Sequence, residues 1–186
     1  MRILLITAHP NPRSFNFMIA HRLQERLEGG GMKVVRLDLY PERFDPVLPL
    51  EEMLRKASFD SSVLDSVQKL KTCQGILFVH PDWWGLPPAI LKGWVDRVLL
   101  PGVGYAFEEE SVPVPLLGHL RGGVVVTRDN PGRGLSEAFW MQEVFPLCGI
   151  EPACFQILDG LKSLSSPERE KKLIFLIEEM YTFFVG

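Results

Sequence analysis

The sequence contains few cysteines, no long apolar run and no excess of basic charge. Its three cysteines, Cys73, Cys148 and Cys154, are odd in number and widely spaced within apolar stretches. This pattern favours buried reduced thiols over disulfides, a redox CxxC pair or a zinc site. A formal net charge of −3 argues against a nucleic-acid-binding surface.

Membrane and export signals are also missing from the sequence. No apolar stretch reaches the length of a transmembrane helix, and the N-terminus runs directly into an apolar strand without a cleavable leader. We therefore expect no membrane insertion and a cytoplasmic location. With 46% hydrophobic and 23% charged residues, the composition predicts one globular domain over residues 1–186.

Strand and helix patterns alternate along the chain. Predicted strands cover residues 2–8, 33–39, 75–79, 123–127 and 153–158. Predicted helical stretches cover residues 15–28, 50–71, 87–99, 135–147 and 167–184. This alternation predicts an α/β fold: a doubly wound, five-stranded parallel sheet of order 2-1-3-4-5 with helices on both faces. Residues 40–49 and 101–120 are Pro-rich and remain candidate functional or interface loops.

The predicted strand order brings three loops together. Ligands of open parallel sheets bind beyond the carboxyl ends of the strands, where the strand order reverses. The exits of the first and third strands are HPNPRSFN (9–16) and HPDWWG (80–85), and TRDNPGRG (127–134) leaves the fourth strand beside them. The binding site is therefore expected at these loops.

The first of these loops has the features of an anion site. Ser14 is placed to cap a helix beginning near Phe15, and Arg13 stands beside it. The free amides and positive dipole end of that helix would then face a phosphate. The alternative is that Ser14 serves only as a helix cap.

The second loop predicts a rigid surface for a flat ligand. An apolar strand precedes it, while Pro87 and Pro88 introduce the amphipathic helix that follows it. Held at both ends, the loop presents Trp83 and Trp84 with little conformational freedom. Aromatic walls and fixed backbone amides are suited to a planar ring.

Two motifs together resemble a known family. AHPNPRSFN (8–16) and HPDWWGLPPAILKGWVDRVLLPGVGYAF (80–107) are similar to the flavodoxin-like NAD(P)H:quinone oxidoreductases, a family that includes ancillary subunits of bacterial potassium efflux systems. DLYPERFDPVL (38–48) adds looser similarity. The resemblance implies a flavoenzyme that passes hydride from NAD(P)H, through bound flavin, to a quinone or similar small acceptor with ping-pong kinetics. Neither the physiological acceptor nor a preference for NADH or NADPH follows from it.

The resemblance also assigns cofactor contacts by position. The residues expected at the flavin phosphate and ribityl chain are His9, Ser14, Phe15 and Asn16. The residues expected around the isoalloxazine ring, mostly through main-chain atoms, are Pro81, Asp82, Trp83 and Trp84. In the loop after the fourth strand, Thr127 alone clearly matches the family.

Three departures from the family pattern change specific expectations. The loop after Thr127 lacks the family's Thr-Thr-Gly-Gly and its Tyr/His pair, so Arg128 or Asn130 is our hypothesis for the replacement; a solvated Arg128 is the alternative. Gly85 stands where relatives often have an aromatic. Arg13 replaces a phosphate-loop hydroxyl, and the compact site favours FMN, with FAD as the alternative.

Relatives in this family are homodimers, so a homodimer is implied here. Trp94, Val98, Leu99 and residues 112–117 are candidates for the subunit surface, although each could simply be core. Tyr105 and Phe107 match positions that close the pocket from the partner chain.

Two other functions compete with the enzyme. A regulatory flavin- or nucleotide-binding subunit docked on a membrane potassium transporter has the same motifs. A metal-dependent hydrolase could use His9, His80 and Asp82 as ligands, but Arg13 would repel the metal, so no metal site is assigned.

Overall fold

The computed structural model describes residues 1–108, 112–129 and 134–186. Its strands are β1 (Arg2–Thr7), β2 (Lys33–Asp38), β3 (Gly75–Pro81), β4 (Tyr105–Phe107), β5 (Pro113–Pro115), β6 (Arg121–Thr127) and β7 (Ala153–Leu158). Five of them form a parallel sheet in the order β2-β1-β3-β6-β7. The predicted order, 2-1-3-4-5 for these five strands, is confirmed.

The helices cover both faces of this sheet. They are α1 (Phe15–Gly29), α2 (Leu50–Arg55), α3 (Ser61–Lys71), α4 (Ala89–Val98), α5 (Leu135–Ala138), α6 (Phe145–Cys148) and α7 (Ser166–Val185). One core lies between the sheet and α1 and α7, and the other between the sheet and α3, α4 and α6. No helix among the described residues is long and apolar enough to cross a membrane.

The alternation of side chains along β1 explains why the sheet has two cores. Ile3 and Leu5 pack towards α1 and α7, whereas Leu4 and Ile6 pack into the opposite core, and all four are fully buried. Successive side chains of a strand point to opposite faces, so a strand covered on both sides is apolar throughout. Burial on both faces therefore agrees with the interior position of β1, between β2 and β3.

Two segments differ from the sequence prediction. The helical stretch predicted over residues 50–71 is divided into α2 and α3, because Lys56 has a left-handed backbone (φ 54°) and Asp60 caps α3. In the predicted irregular stretch 101–120, β4 and β5 form an antiparallel hairpin.

The helix predicted over residues 135–147 contains an irregularity that no sequence period indicated. Between α5 and α6, Phe139–Val144 forms a π-helical segment.

Trp94, Val98 and Leu99 are buried in the core, so the prediction that they supply a subunit surface was wrong. Trp94 and Val98 on α4 and Leu99 at its C-cap have the spacing of a core-facing stripe.

Candidate functional site

The loops after β1 and β3 meet at the carboxyl edge of the sheet. The Ala8 N–H donates to the Val79 carbonyl (3.1 Å), and beyond this contact the His9 and Trp83 ring centroids are 6.2 Å apart. On the other side, Pro81 of β3 is in register with Thr127 of β6. The geometry therefore brings together the exits that the sequence singled out.

The loop from His9 to Ser14 is shaped largely by Asn11. The side-chain Oδ1 of Asn11 accepts from the Arg13 N–H (2.9 Å), and the main-chain carbonyl of Asn11 accepts from the Ser14 N–H (3.0 Å). The Asn11 N–H donates in turn to His9 Nδ1 (3.0 Å). Partial burial lowers the pKa of His9, so the imidazole is neutral at pH 7 and carries its proton on Nε2. An Nε2–H donor is thus held at the rim of the site.

The start of α1 supplies further donors. Ser14 Oγ accepts from the Phe17 N–H (3.4 Å), and the Ser14 carbonyl accepts from Met18. The N–H groups of Phe15 and Asn16 lie in the first turn and have no intrahelical partner. With exposed Arg13 beside them, these amides form the kind of anion site expected from the sequence.

Asn16 makes a contact that the sequence did not indicate. Its side chain is buried and pairs with Thr127, with Asn16 Nδ2 2.9 Å and Asn16 Oδ1 3.1 Å from Thr127 Oγ1. This pair joins the first turn of α1 to the end of β6. Asn16 and Thr127 therefore hold the loop after β1 and the loop after β6 in a fixed relative position. The main-chain N–H of Asn16 lies in the first turn of α1, where it has no intrahelical acceptor.

The two tryptophans lie on a tight turn with unusual backbone geometry. Trp83 and Leu86 exchange both backbone hydrogen bonds (3.0 and 3.2 Å) around Trp84 and Gly85. Trp84 has φ 62° and Gly85 has φ 87°, the pattern of a type I′ turn. Glycine adopts this conformation readily, whereas a tryptophan adopts it at a cost of roughly 1–2 kcal/mol. The Trp84 side chain is fully exposed, so packing against this chain does not offset that cost.

Most amides of this segment already have acceptors. The Asp82 N–H donates to the Thr127 carbonyl (2.8 Å), and the Gly85 N–H donates to Asp82 Oδ1 (2.6 Å). Among the described residues, the Trp84 N–H makes no main-chain hydrogen bond. The sequence led us to expect several free main-chain donors in this segment. Among its described residues, the Trp84 N–H is the one that remains free to bind a ligand.

A three-residue ionic cluster lies beneath the turn. Arg128 forms a bidentate contact with Asp159, with Nε 3.3 Å from Oδ1 and Nη2 3.0 Å from Oδ2. Arg128 Nη1 also lies 3.4 Å from Asp82 Oδ2. The side chains of Arg128 and Asp82 are 13% and 4% exposed, so the alternative of a solvated Arg128 was wrong. Asn130, the other candidate, lies outside the described residues.

His80 is part of the core and is unavailable as a metal ligand. Its Nε2 accepts from Trp140 Nε1 (2.9 Å), and its Nδ1 donates to the Pro81 carbonyl (2.9 Å). Complete burial lowers the pKa of His80 to about 4, so it is neutral. The π-helical segment places Trp140 for this contact, and π-bulges occur frequently at functional sites. With Asp82 also paired to Arg128, the proposed set of His9, His80 and Asp82 is not a metal site.

Three residues that shape the site were not identified from the sequence. Asp159 directly follows the last parallel strand, so the rule about strand exits could have indicated it. Asn11 stands between two prolines, a position typical of side-chain-stabilised turns. No sequence signal indicated the pairing of Trp140 with His80, because it depends on the π-helical geometry.

Comparison with known proteins agrees with this architecture. A family model described as a flavodoxin-like fold, Flavodoxin_2, matches residues 1–174. The chain belongs to the Flavodoxin_2 family. An uncharacterised NAD(P)H oxidoreductase of Haemophilus influenzae is 40% identical over 183 residues, covering 91% of this chain and 89% of that protein.

Other similar proteins cover the chain to different extents. A ribosyldihydronicotinamide dehydrogenase-like protein of Penicillium crustosum is 35% identical over 129 residues; the match covers 60% of this chain and about half (48%) of that protein. The structure of Smu.1420 from Streptococcus mutans has a TM-score of 0.89 and 28% identity, covering 98% of this chain and 100% of the other. An FMN-dependent NADH-azoreductase from Bacillus anthracis, solved with FMN, has a TM-score of 0.79 and 17% identity over 100% and 99% of the two chains, which establishes fold similarity alone.

Proposed function

We propose that this Flavodoxin_2 protein is a flavin-dependent NAD(P)H dehydrogenase that reduces a quinone or similar small acceptor. The observation that carries the proposal is the proximity of two loops. The exposed Trp83–Trp84 turn lies beside the loop that leads into α1, and the ring centroids of Trp83 and His9 are 6.2 Å apart. One loop offers aromatic surface and the other offers anion-binding amides. The names of the H. influenzae and P. crustosum relatives support the same reaction class.

The donor set fits a flavin mononucleotide. The Phe15 and Asn16 amides, Ser14 and Arg13 would bind the phosphate, because helix N-termini and guanidinium groups both favour anions. His9 Nε2–H would donate to the phosphate or ribityl chain. We propose FMN rather than FAD because these donors account for one phosphate at the α1 terminus.

The ring would be held by the turn after β3. Pro81 is buried in β3 and, with Asp82, fixes where the turn begins, while Trp83 and Trp84 provide apolar surface that excludes water. Among the described residues the Trp84 N–H has no main-chain acceptor, and a fixed donor of this kind stabilises negative charge on a reduced ring. The bound flavin would supply the redox chemistry, accepting hydride from NAD(P)H and then reducing the quinone. The protein's own part is to bind, orient and desolvate.

A second copy of the chain would cover exposed apolar residues between β2 and α3. Large apolar side chains in the segment between β2 and α3 are strongly exposed: Val47 (68%), Leu50 (60%), Met53 (53%), Leu54 (70%) and Phe59 (78%). Several large exposed apolar side chains within one short segment are typical of an interaction site. We propose a homodimer that covers this surface, with sedimentation velocity as its test; a monomer at micromolar concentration would contradict it.

The function is tested by adding FMN to the purified protein. We expect the flavin fluorescence to be quenched on binding, and the loaded protein to oxidise NADH or NADPH when a quinone is supplied. Trp84→Ala should weaken FMN binding strongly. Phe175→Ala, which removes an exposed aromatic on α7 outside both the site and the proposed dimer surface, is the matched control and should retain FMN. Equal retention by both variants, or failure of the unaltered protein to bind FMN, would refute the proposal.

A further inference from the structure

We propose that Arg128 is a positioning residue that holds the Trp83–Leu86 turn in its flavin-binding geometry and adjusts the charge beneath the ring. This inference rests on the proposed flavin site and concerns the loop that begins after β6. Its basis is the cluster formed by Arg128, Asp82 and Asp159 at the ends of β6, β3 and β7.

The connection from Arg128 to the turn runs through one side chain. Asp82 Oδ2 faces Arg128 Nη1 (3.4 Å), while Asp82 Oδ1 accepts from the Gly85 N–H (2.6 Å). Because the Asp82 side chain is 4% exposed, Arg128 rather than water faces this part of the carboxylate. Removing Arg128 would leave the buried Asp82 carboxylate without its partner, and movement of that carboxylate towards water would weaken its bond to Gly85.

The turn needs such support because its conformation is unfavourable on its own. Trp84 has φ 62°, and its side chain makes no compensating contact with this chain because it is fully exposed. Strained backbone of this kind persists where surrounding contacts impose it. The Asp82 carboxylate, held by Arg128, is such a contact.

Arg128 itself is anchored from the far side. The Arg128 guanidinium binds both carboxylate oxygens of Asp159. The main-chain N–H of Arg128 donates to the Leu158 carbonyl (2.9 Å), and its main-chain carbonyl accepts from the Leu161 N–H (3.3 Å). A bidentate guanidinium has a fixed direction, which a lysine ammonium lacks. The Trp83–Leu86 turn is thus connected to the end of β7 through Asp82, Arg128 and Asp159.

The cluster also determines charge near the ring. One cation and two carboxylates sum to −1, so loss of Arg128 leaves −2 and loss of the Asp159 charge leaves 0. A negatively charged reduced flavin is disfavoured by the first change and favoured by the second. The two substitutions should therefore shift the preference for reduced over oxidised FMN in opposite directions, which a purely structural role would not produce.

The test measures dissociation constants of oxidised and reduced FMN, anaerobically, for the unaltered protein and its variants. In Arg128→Ala the ratio of the reduced to the oxidised constant should rise about tenfold, equivalent to about 30 mV for a two-electron couple. Asp159→Asn should lower the ratio, by less, because Asp159 is 32% exposed and its charge is partly screened. Arg128→Lys should keep the ratio near that of the unaltered protein but weaken binding of oxidised FMN, since it retains charge without the fork.

Arg26→Ala is the matched control, because Arg26 makes the same bidentate contact, with Glu178, at the opposite end of α1. It should change neither constant. Should Arg128→Ala fail to fold, the other two variants decide the matter: Asp159→Asn should lower the ratio, and Arg128→Lys should leave the ratio unchanged while it weakens binding of oxidised FMN. The inference is overturned if Arg128→Ala and Asp159→Asn shift the ratio in the same direction or leave it unchanged while the unaltered protein binds FMN. Failure of the unaltered protein to bind FMN would instead refute the proposed function, and this inference with it.

Discussion

Trp84 offers a substitution in which stability and binding should change in opposite directions. Its backbone lies at φ 62°, and its side chain is fully exposed. Trp84→Gly removes a strain of roughly 1–2 kcal/mol, while the extra unfolded-state freedom of glycine takes back roughly 0.5–1 kcal/mol. Because no packing is lost, the free energy of unfolding without FMN should rise by about 0.5–1 kcal/mol. The Tm should then rise by about 1–4 °C.

FMN affinity should fall in the same variant. Stacking of a flat heteroaromatic ring on an aromatic side chain contributes roughly 1–3 kcal/mol. Its loss corresponds to an increase in Kd of about 5- to 150-fold. Differential scanning calorimetry of the FMN-free protein and a fluorescence titration with FMN measure the two effects separately.

Arg43→Gly is the control for this experiment. Arg43 is also exposed and left-handed (φ 53°), in the segment after β2. It should show a similar gain in Tm with unchanged FMN affinity. Destabilisation of the FMN-free protein by Trp84→Gly, or equal loss of FMN by both glycine variants, would contradict the assigned roles of the Trp84 backbone and side chain.

The buried ion pair and the buried histidine lead to the remaining predictions. Arg97→Ala should lower the free energy of unfolding by about 3–5 kcal/mol in urea titrations, because Arg97 Nε and Nη2 lie 2.9 and 2.6 Å from buried Glu52; a loss below 1 kcal/mol would contradict this. Hydrogen bonds from Arg97 lower the pKa of Glu52, so the stability from this pair is present above pH 4.5 and lost as the pH falls below it. Burial lowers the pKa of His80 from 6.5 to about 4, so the unfolded chain takes up the proton first and stability falls as the pH drops from 6.5 towards 4. His80→Gln should flatten this part of the pH profile of the urea midpoint; an unchanged slope would show that other groups cause it.

The sheet order and the location of the site could be predicted because both depend on local signals. Buried strands are apolar throughout, and in a doubly wound sheet the exits of the first and third strands must be neighbours. The positions of His9 and Trp83 follow directly from that rule. The resemblance in the two loop motifs then supplied the chemistry that topology alone does not specify.

The contacts that tune the site could not be predicted from the sequence. Arg128 meets Asp82, 46 positions away, through the register of β3 and β6, and sequence periodicity does not specify register. The break between α2 and α3 and the π-helical segment depend on single backbone conformations, such as that of Lys56. Tertiary packing decides those conformations, so they appear first in the structure.

The most direct test of the account is an anaerobic measurement of the two half-reactions on FMN-loaded protein. Added NADH or NADPH should bleach the long-wavelength absorbance of the flavin stoichiometrically, and a quinone added afterwards should restore it with formation of the quinol. FMN that binds tightly but is neither reduced by the nicotinamide nor reoxidised by the quinone would contradict the proposed reaction.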